Sequence, residues 1–303
     1  MWFIFSILVM ILWGAADLFY KKSANPDEKY SHLKTVVAVG IIMGIHGIFT
    51  LFSNNLDYNF KNILIYLPVS SMYILSMAIG YFGLKYLELS ISSPIQNSSG
   101  IITSILCFFL LHEKLDFISL ISIILIGIGL IFLGVIEKNK NNDENANKKY
   151  KIAFIAFFIP IIYCIVDSLG TFFDAYYLEI STTPLIGFTE DNLELVANIS
   201  YEFTFLITAI IALVFLLIKR ANTSKETVKT NIFAAIFETI GQFFYVYAMS
   251  GNAIIAAPMV SAYCIVSMIF SRVFLKEKLT KKEYFSLALI IIGIIILGIM
   301  EAV

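Results

Sequence analysis

Three carboxylates, Asp17, Asp167 and Glu238, interrupt stretches that are otherwise strongly apolar. On insertion scales a charge at mid-bilayer depth costs roughly 2.5–3.5 kcal/mol unless a cavity or partner receives it, so each is a candidate for binding a proton or a cation. Asp17 follows Trp13 by four residues and Asp167 follows Tyr163 by four, which sets ring and carboxylate one turn apart on one helical face. Glu238 stands four residues before Gln242, and Tyr245 shares that face. The run Gln96-Asn97-Ser98-Ser99 is hard to place against lipid, because its amides and hydroxyls need partners that water or a solute would supply. Tyr263 sits in the corresponding part of a later segment. Aromatic faces beside acids suit an amine or quaternary ammonium through cation–π contacts. The same acids suit proton exchange, for which Asp167, Glu238, Glu202 and His46 are the candidates.

Blander readings stand beside these. Asp17 lies four residues before Lys21-Lys22 and reads equally as an interfacial carboxylate capped by lysine. His46, between Gly44 and Gly47, also reads as a packing residue bonded to a carbonyl. Glu202 and Asp174 also suit an acidic vestibule around the segment Tyr176–Leu195. No HExxH, GxSxG, Cys/His pair or phosphate-binding loop is present, so an enzyme, a metal and a cofactor are not expected. Cys107, Cys164 and Cys264 lie in apolar stretches without metal or redox spacing and read as small hydrophobes.

The elements that must position these residues are long apolar helices. The chain is 59% hydrophobic and 14% charged, against roughly 25% charged residues in soluble domains. Ten membrane segments are predicted at about 2–22, 33–53, 62–84, 91–111, 116–137, 151–175, 196–218, 229–250, 253–275 and 281–301. The first lacks a basic leader and a small-residue cleavage site and is read as retained. Residues 138–150, rich in Asn, Lys and acidic side chains, read as a solvated cytoplasmic linker between units 1–137 and 151–303. Tyr176–Leu195 carries four acids and no Lys or Arg; it reads as an acidic loop, or as an extension of the sixth helix followed by a cap at Thr189 or Asp191.

A repeat organises the whole. Adding 164 to residues 94–137 returns the pattern at 258–301 without a gap, with 16 of 44 positions identical. Pro94/Pro258, Glu113-Lys114-Leu115/Glu277-Lys278-Leu279, Gly129/Gly293, Gly134/Gly298 and Glu137/Glu301 all fall in one register. Five helices per copy is odd, so the second copy enters the membrane from the opposite side. The fold class expected is therefore an all-α integral membrane protein of ten transmembrane helices in two inverted five-helix repeats. Odd-to-even loops hold 19 of the 21 Lys and Arg and the remaining loops hold 2, which puts both termini outside the cell. Glycines five apart allow close helix approach without forming a strict GxxxG face.

With Leu12-Trp13-Gly14 in the first helix, these motifs resemble the drug/metabolite transporter superfamily, specifically its ten-helix branch of two EamA-type repeats. The second copy departs by having Tyr163-Cys164 in place of Trp13-Gly14. The resemblance implies a plasma-membrane protein whose helices, other than the fifth and tenth, surround a central cavity for a small metabolite. Joined to the acid excess, it predicts a secondary transporter, an exporter or exchanger, of a cationic or zwitterionic solute such as an amino acid or amine. Alternating access is the expected mechanism and protons the possible coupling ion. The expected partners are lipid, the small solute and protons, with no nucleic acid, in a monomer or homodimer. The alternative is a non-transporting sensor, or a protein that binds or flips lipid head groups.

Overall fold

The computed structural model describes the chain apart from residues 26–27, 86–88, 90–92, 94–95, 142–145, 222–223, 277–279 and 303; of 133–134, 136–141, 146–157, 298 and 301–302 it describes the backbone alone. Pro94 and Glu277-Lys278-Leu279 lie outside the described residues. The elements are α1 (Trp2–Ser23), α2 (Ser31–Ser53), α3 (Asn62–Ile65), α4 (Leu67–Gly83), α5 (Ser99–Leu106), α6 (Phe117–Asn141), α7 (Ala146–Leu178), α8 (Leu193–Ile218), α9 (Lys225–Ser261), α10 (Cys264–Phe270) and α11 (Lys281–Ala302). No strand occurs among the described residues. By length and composition, five stretches among the described residues can cross a bilayer: Trp2–Ser23, Ser31–Ser53, Phe158–Leu178, Leu193–Ile218 and Lys225–Leu275.

The ten predicted segments are recognisable, with three differences. The third is split into α3 and α4, because the ring of Pro68 removes an N–H and clashes with the preceding turn. The eighth and ninth meet where expected, at a kink in α9 whose non-helical residue is Asn252 (φ −171°, ψ 81°). Helix occupies much of the expected linker, since α6 reaches Asn141 and α7 begins at Ala146. A helix pairs its own backbone, so polar residues can carry it beyond the bilayer without an apolar period. Finally, α7 extends to Leu178, and α8 is capped at Asn192 rather than at Thr189 or Asp191. The Asn192 side chain accepts from Thr189 N at 2.7 Å, which folds the loop end back onto the helix start.

The two halves pack through one set of contacts. α1 packs on α9 as α4 packs on α7, α2 pairs with α8, and α6 pairs with α11. Exchanging the halves returns the same set, as an inverted pseudo-twofold requires. Local geometry repeats too. A π-turn at Cys107–Leu111 ends at left-handed His112, and another at Ser271–Leu275 ends at left-handed Lys276. The ends of α2 and α8 share a left-handed residue, Asn55 and Arg220, with matching bonds from Leu56 N to Leu51 O (3.2 Å) and Ala221 N to Leu216 O (3.0 Å). The α6–α11 seam is symmetric to the atom: a Cβ on Gly129 would lie 2.5 Å from Ile290 Cγ1, and one on Gly293 2.8 Å from Ile126 Cγ1. Without a hydrophobic drive between helices in lipid, such close backbone approach is what holds a seam together.

The hairpins tie the repeats to each other. Pro258 has no N–H, so the Ile254 carbonyl four residues earlier has no helical donor; Ser104 Oγ of α5 donates to it at 2.6 Å. Glu113, from the hairpin after α5, accepts from Ile254 N at 3.2 Å. Both backbone groups of Ile254 are thus satisfied by side chains of the other half.

Candidate functional site

Where α1, α4, α5, α7 and α9 converge, they leave a cavity of about 70 Å³. Its wall contains Trp13 and Asp17 from α1, Tyr163 and Asp167 from α7, Glu238, Gln242 and Tyr245 from α9, and Gln96, Asn97 and Tyr263 from the neighbouring turns. All ten residues expected to touch a solute therefore share one wall, and no Lys or Arg lines it among the described residues.

Asp17 and Asp167 are held alike. Asp17 Oδ2 accepts from Ser93 Oγ (3.1 Å) and Ser267 Oγ (2.7 Å). Asp167 accepts from Ser76 Oγ (3.1 Å) and Ser99 Oγ (2.8 Å). Each carboxylate thus accepts from two serine hydroxyls. Lys21, a turn beyond Asp17, donates from Nζ to Leu84 O at 2.9 Å. The aromatic rings four residues earlier are equivalent as well. Trp13 lies against Gly241 and Tyr163 against Gly80, where an added Cβ would come within 2.5 Å and 3.0 Å of the ring.

This pair of contacts reveals a second register, 161 residues apart, in which Ile79-Gly80-Tyr81-Phe82 matches Ile240-Gly241-Gln242-Phe243. In that register Glu238 answers to Met77, and both line the cavity. The third carboxylate is therefore where the two halves differ. Glu238 is held by Tyr20, whose hydroxyl donates to Oε2 at 3.1 Å, and Tyr20 packs on Tyr81 at 4.5 Å between ring centroids. At another point of the wall Tyr73 OH bonds Tyr245 OH (2.7 Å) and Thr171 Oγ1 (3.0 Å). Tyr20, Tyr73, Tyr81, Tyr201 and Thr171 also belong to the wall and were not expected there, and Ser99 of the expected polar run joins them.

His46 and Glu202 lie outside the cavity wall. They pair with each other, His46 Nδ1 to Glu202 Oε1 at 2.7 Å, across the α2–α8 seam. Asp174 receives the Tyr66 hydroxyl and is likewise absent from the wall. The expected acidic vestibule does not form from these two residues, since each is buried against its own partner. No group of three or more His, Cys, Asp or Glu suited to a metal occurs among the described residues.

Comparison with known proteins agrees with this architecture. A solved crystal structure described only as that of a protein superposes with a TM-score of 0.69 at 12% identity, covering 99% of this chain and 96% of that one; at this identity the likeness shows the fold alone. Nothing among the curated proteins matches. The EamA-like transporter family matches residues 1–135 and 195–299, most of both halves. The chain belongs to the EamA-like transporter family, and is a multi-pass helical membrane protein of the drug/metabolite transporter type.

Proposed function

We propose that this protein is a secondary transporter of a small cationic or zwitterionic solute carrying an amine, which it carries in the central cavity. One observation bears the weight: three carboxylates and the rings of Trp13, Tyr163, Tyr245 and Tyr263 share a buried wall that has no Lys or Arg among the described residues. A phosphate or carboxylate solute would meet only like charge there. An ammonium would meet carboxylates, and each ring adds about 0.5–2 kcal/mol of cation–π attraction.

Alternating access follows from the inverted halves, which can rock about a cavity built from both. Glu238 is the proposed proton-exchanging group, because it is the one carboxylate that the pseudo-twofold does not duplicate. The loop charges support an orientation with both termini outside and the 138–150 connection in the cytoplasm. A thermal-shift screen of the purified protein tests the substrate class. Amines and amino acids should raise the melting temperature, while sugar phosphates of similar size leave it unchanged. Protection by the phosphates alone would refute the reading.

A further inference from the structure

We infer that the preferred solute is a dication, a short linear molecule with an ammonium at each end, one seated at Asp17 and the other at Asp167. The inference rests on the amine reading above and narrows it.

The two aspartates are equivalent positions of the two halves, and each is held by two serine hydroxyls from neighbouring segments. Neither is neutralised by a basic residue of the wall, so one ammonium would answer one aspartate and leave its twin bare. A second ammonium on the same molecule removes that asymmetry.

The spacing is legible from the serines. Ser93 reaches Asp17 and Ser99 reaches Asp167 from the same segment, six residues apart. Six residues wound as a helix would span about 9 Å, at 1.5 Å of rise per residue, and Asn97 N donates to Ser93 O at 2.9 Å as one turn of such a helix does. Five single bonds of about 1.5 Å, zigzagging, give a four-carbon diamine a reach of about 6 Å between nitrogens. A charge-assisted hydrogen bond of about 2.8 Å at each end brings the total to between about 9 and 12 Å, depending on the angle of approach.

Size agrees with spacing. At about 10–15 Å³ for each water-sized occupant, a 70 Å³ cavity takes roughly five to seven non-hydrogen atoms, and 1,4-diaminobutane has six. A further group of the same wall awaits a partner. Gln96 is buried in the wall, and its Nε2 has no hydrogen bond among the described residues. Turning the amide over would present its oxygen to an ammonium instead.

The test is calorimetric titration of the purified full-length protein with 1,4-diaminobutane, n-butylamine, 1,2-diaminoethane and 1,8-diaminooctane. The expected result is at least tenfold tighter binding of 1,4-diaminobutane than of n-butylamine, with the shorter and longer diamines weaker. In Asp17→Asn and in Asp167→Asn the ratio of diamine to monoamine affinity should fall to about one. The chain-length series uses the unaltered protein, so it decides the matter even if a variant folds poorly. Equal affinity for diamine and monoamine would overturn the dication and leave the amine transporter standing. Binding of none of the four would overturn both.

Discussion

Pro258 leaves a carbonyl inside the membrane that α5 must satisfy, and this dependence can be measured. Removing the Ser104 hydroxyl takes away the 2.6 Å bond to Ile254 O. A buried acceptor left without a donor costs about 1–3 kcal/mol, whereas single side-chain bonds between membrane helices average about 0.6 and reach about 1.7 kcal/mol, because alternative partners are found. Here the usual alternative, the N–H four residues on, does not exist. Ser104→Ala should therefore cost about 1–2 kcal/mol. Pro258→Ala restores an N–H at position 258, and the Ile254 carbonyl regains a helical donor. In that background the serine substitution should cost about 0.5 kcal/mol or less. The assay is a double-mutant cycle on unfolding free energies from a reversible SDS titration, all four proteins in the same mixed micelles. Independent sites add to within about 0.3–0.5 kcal/mol, so equal costs of Ser104→Ala in the two backgrounds would refute the account of the proline.

Other expectations follow from single contacts. Gly100→Ala should lower stability by about 1–3 kcal/mol in the same titration, because the new Cβ would lie 2.5 Å from Ala257 O and meet Ser261; an unchanged midpoint contradicts that packing. Asp116 accepts from Ile118 N and Ser119 N, both at 2.9 Å, and the Ser119 hydroxyl first, then these backbone bonds, hold its carboxyl below the usual aspartate range. Its contribution is therefore present above about pH 4, the unfolded value, and is lost as pH falls through the lower folded value. Asp116→Ala should cost about 0.5–2 kcal/mol at neutral pH, as loss of a helix cap does, and much less in strong acid; a cost that does not depend on pH refutes the role of the charge. His46→Ala should destabilise by about 1–3 kcal/mol by leaving the buried Glu202 without its 2.7 Å hydrogen-bond partner, and should spare solute affinity because the pair lies outside the cavity. Loss of solute binding in a folded His46→Ala protein would show that the pair belongs to the site after all.

What the sequence disclosed depended on which signals carry through composition. Asp17 and Asp167 were legible because a carboxylate in an apolar run is rare and each sits four residues after an aromatic ring. The Glu113 hairpin was legible as a turn, but its hold on Ile254 was not, since a hydrogen bond across 141 residues leaves no local trace. The wall tyrosines, Tyr20, Tyr73, Tyr81 and Tyr201, were lost among 16 tyrosines whose periodicity does not tell a cavity face from a packed one. One overlooked signal would have helped. The match of Ile79-Gly80 with Ile240-Gly241 links α4 to α9 and would have singled out Glu238 as the unpaired acid. The helical backbone at the two ends of the linker was not legible, because loss of apolar period marks the end of the bilayer, not the end of the helix.

The most direct test of the account is counterflow in proteoliposomes. Vesicles loaded with unlabelled 1,4-diaminobutane or n-butylamine are diluted into the labelled amine, with the unaltered protein, with Asp167→Asn, and with no protein. The account predicts transient, saturable accumulation of label with the unaltered protein and none above the protein-free level with Asp167→Asn. Accumulation of equal size in the variant, or none in either protein for any amine, would contradict it.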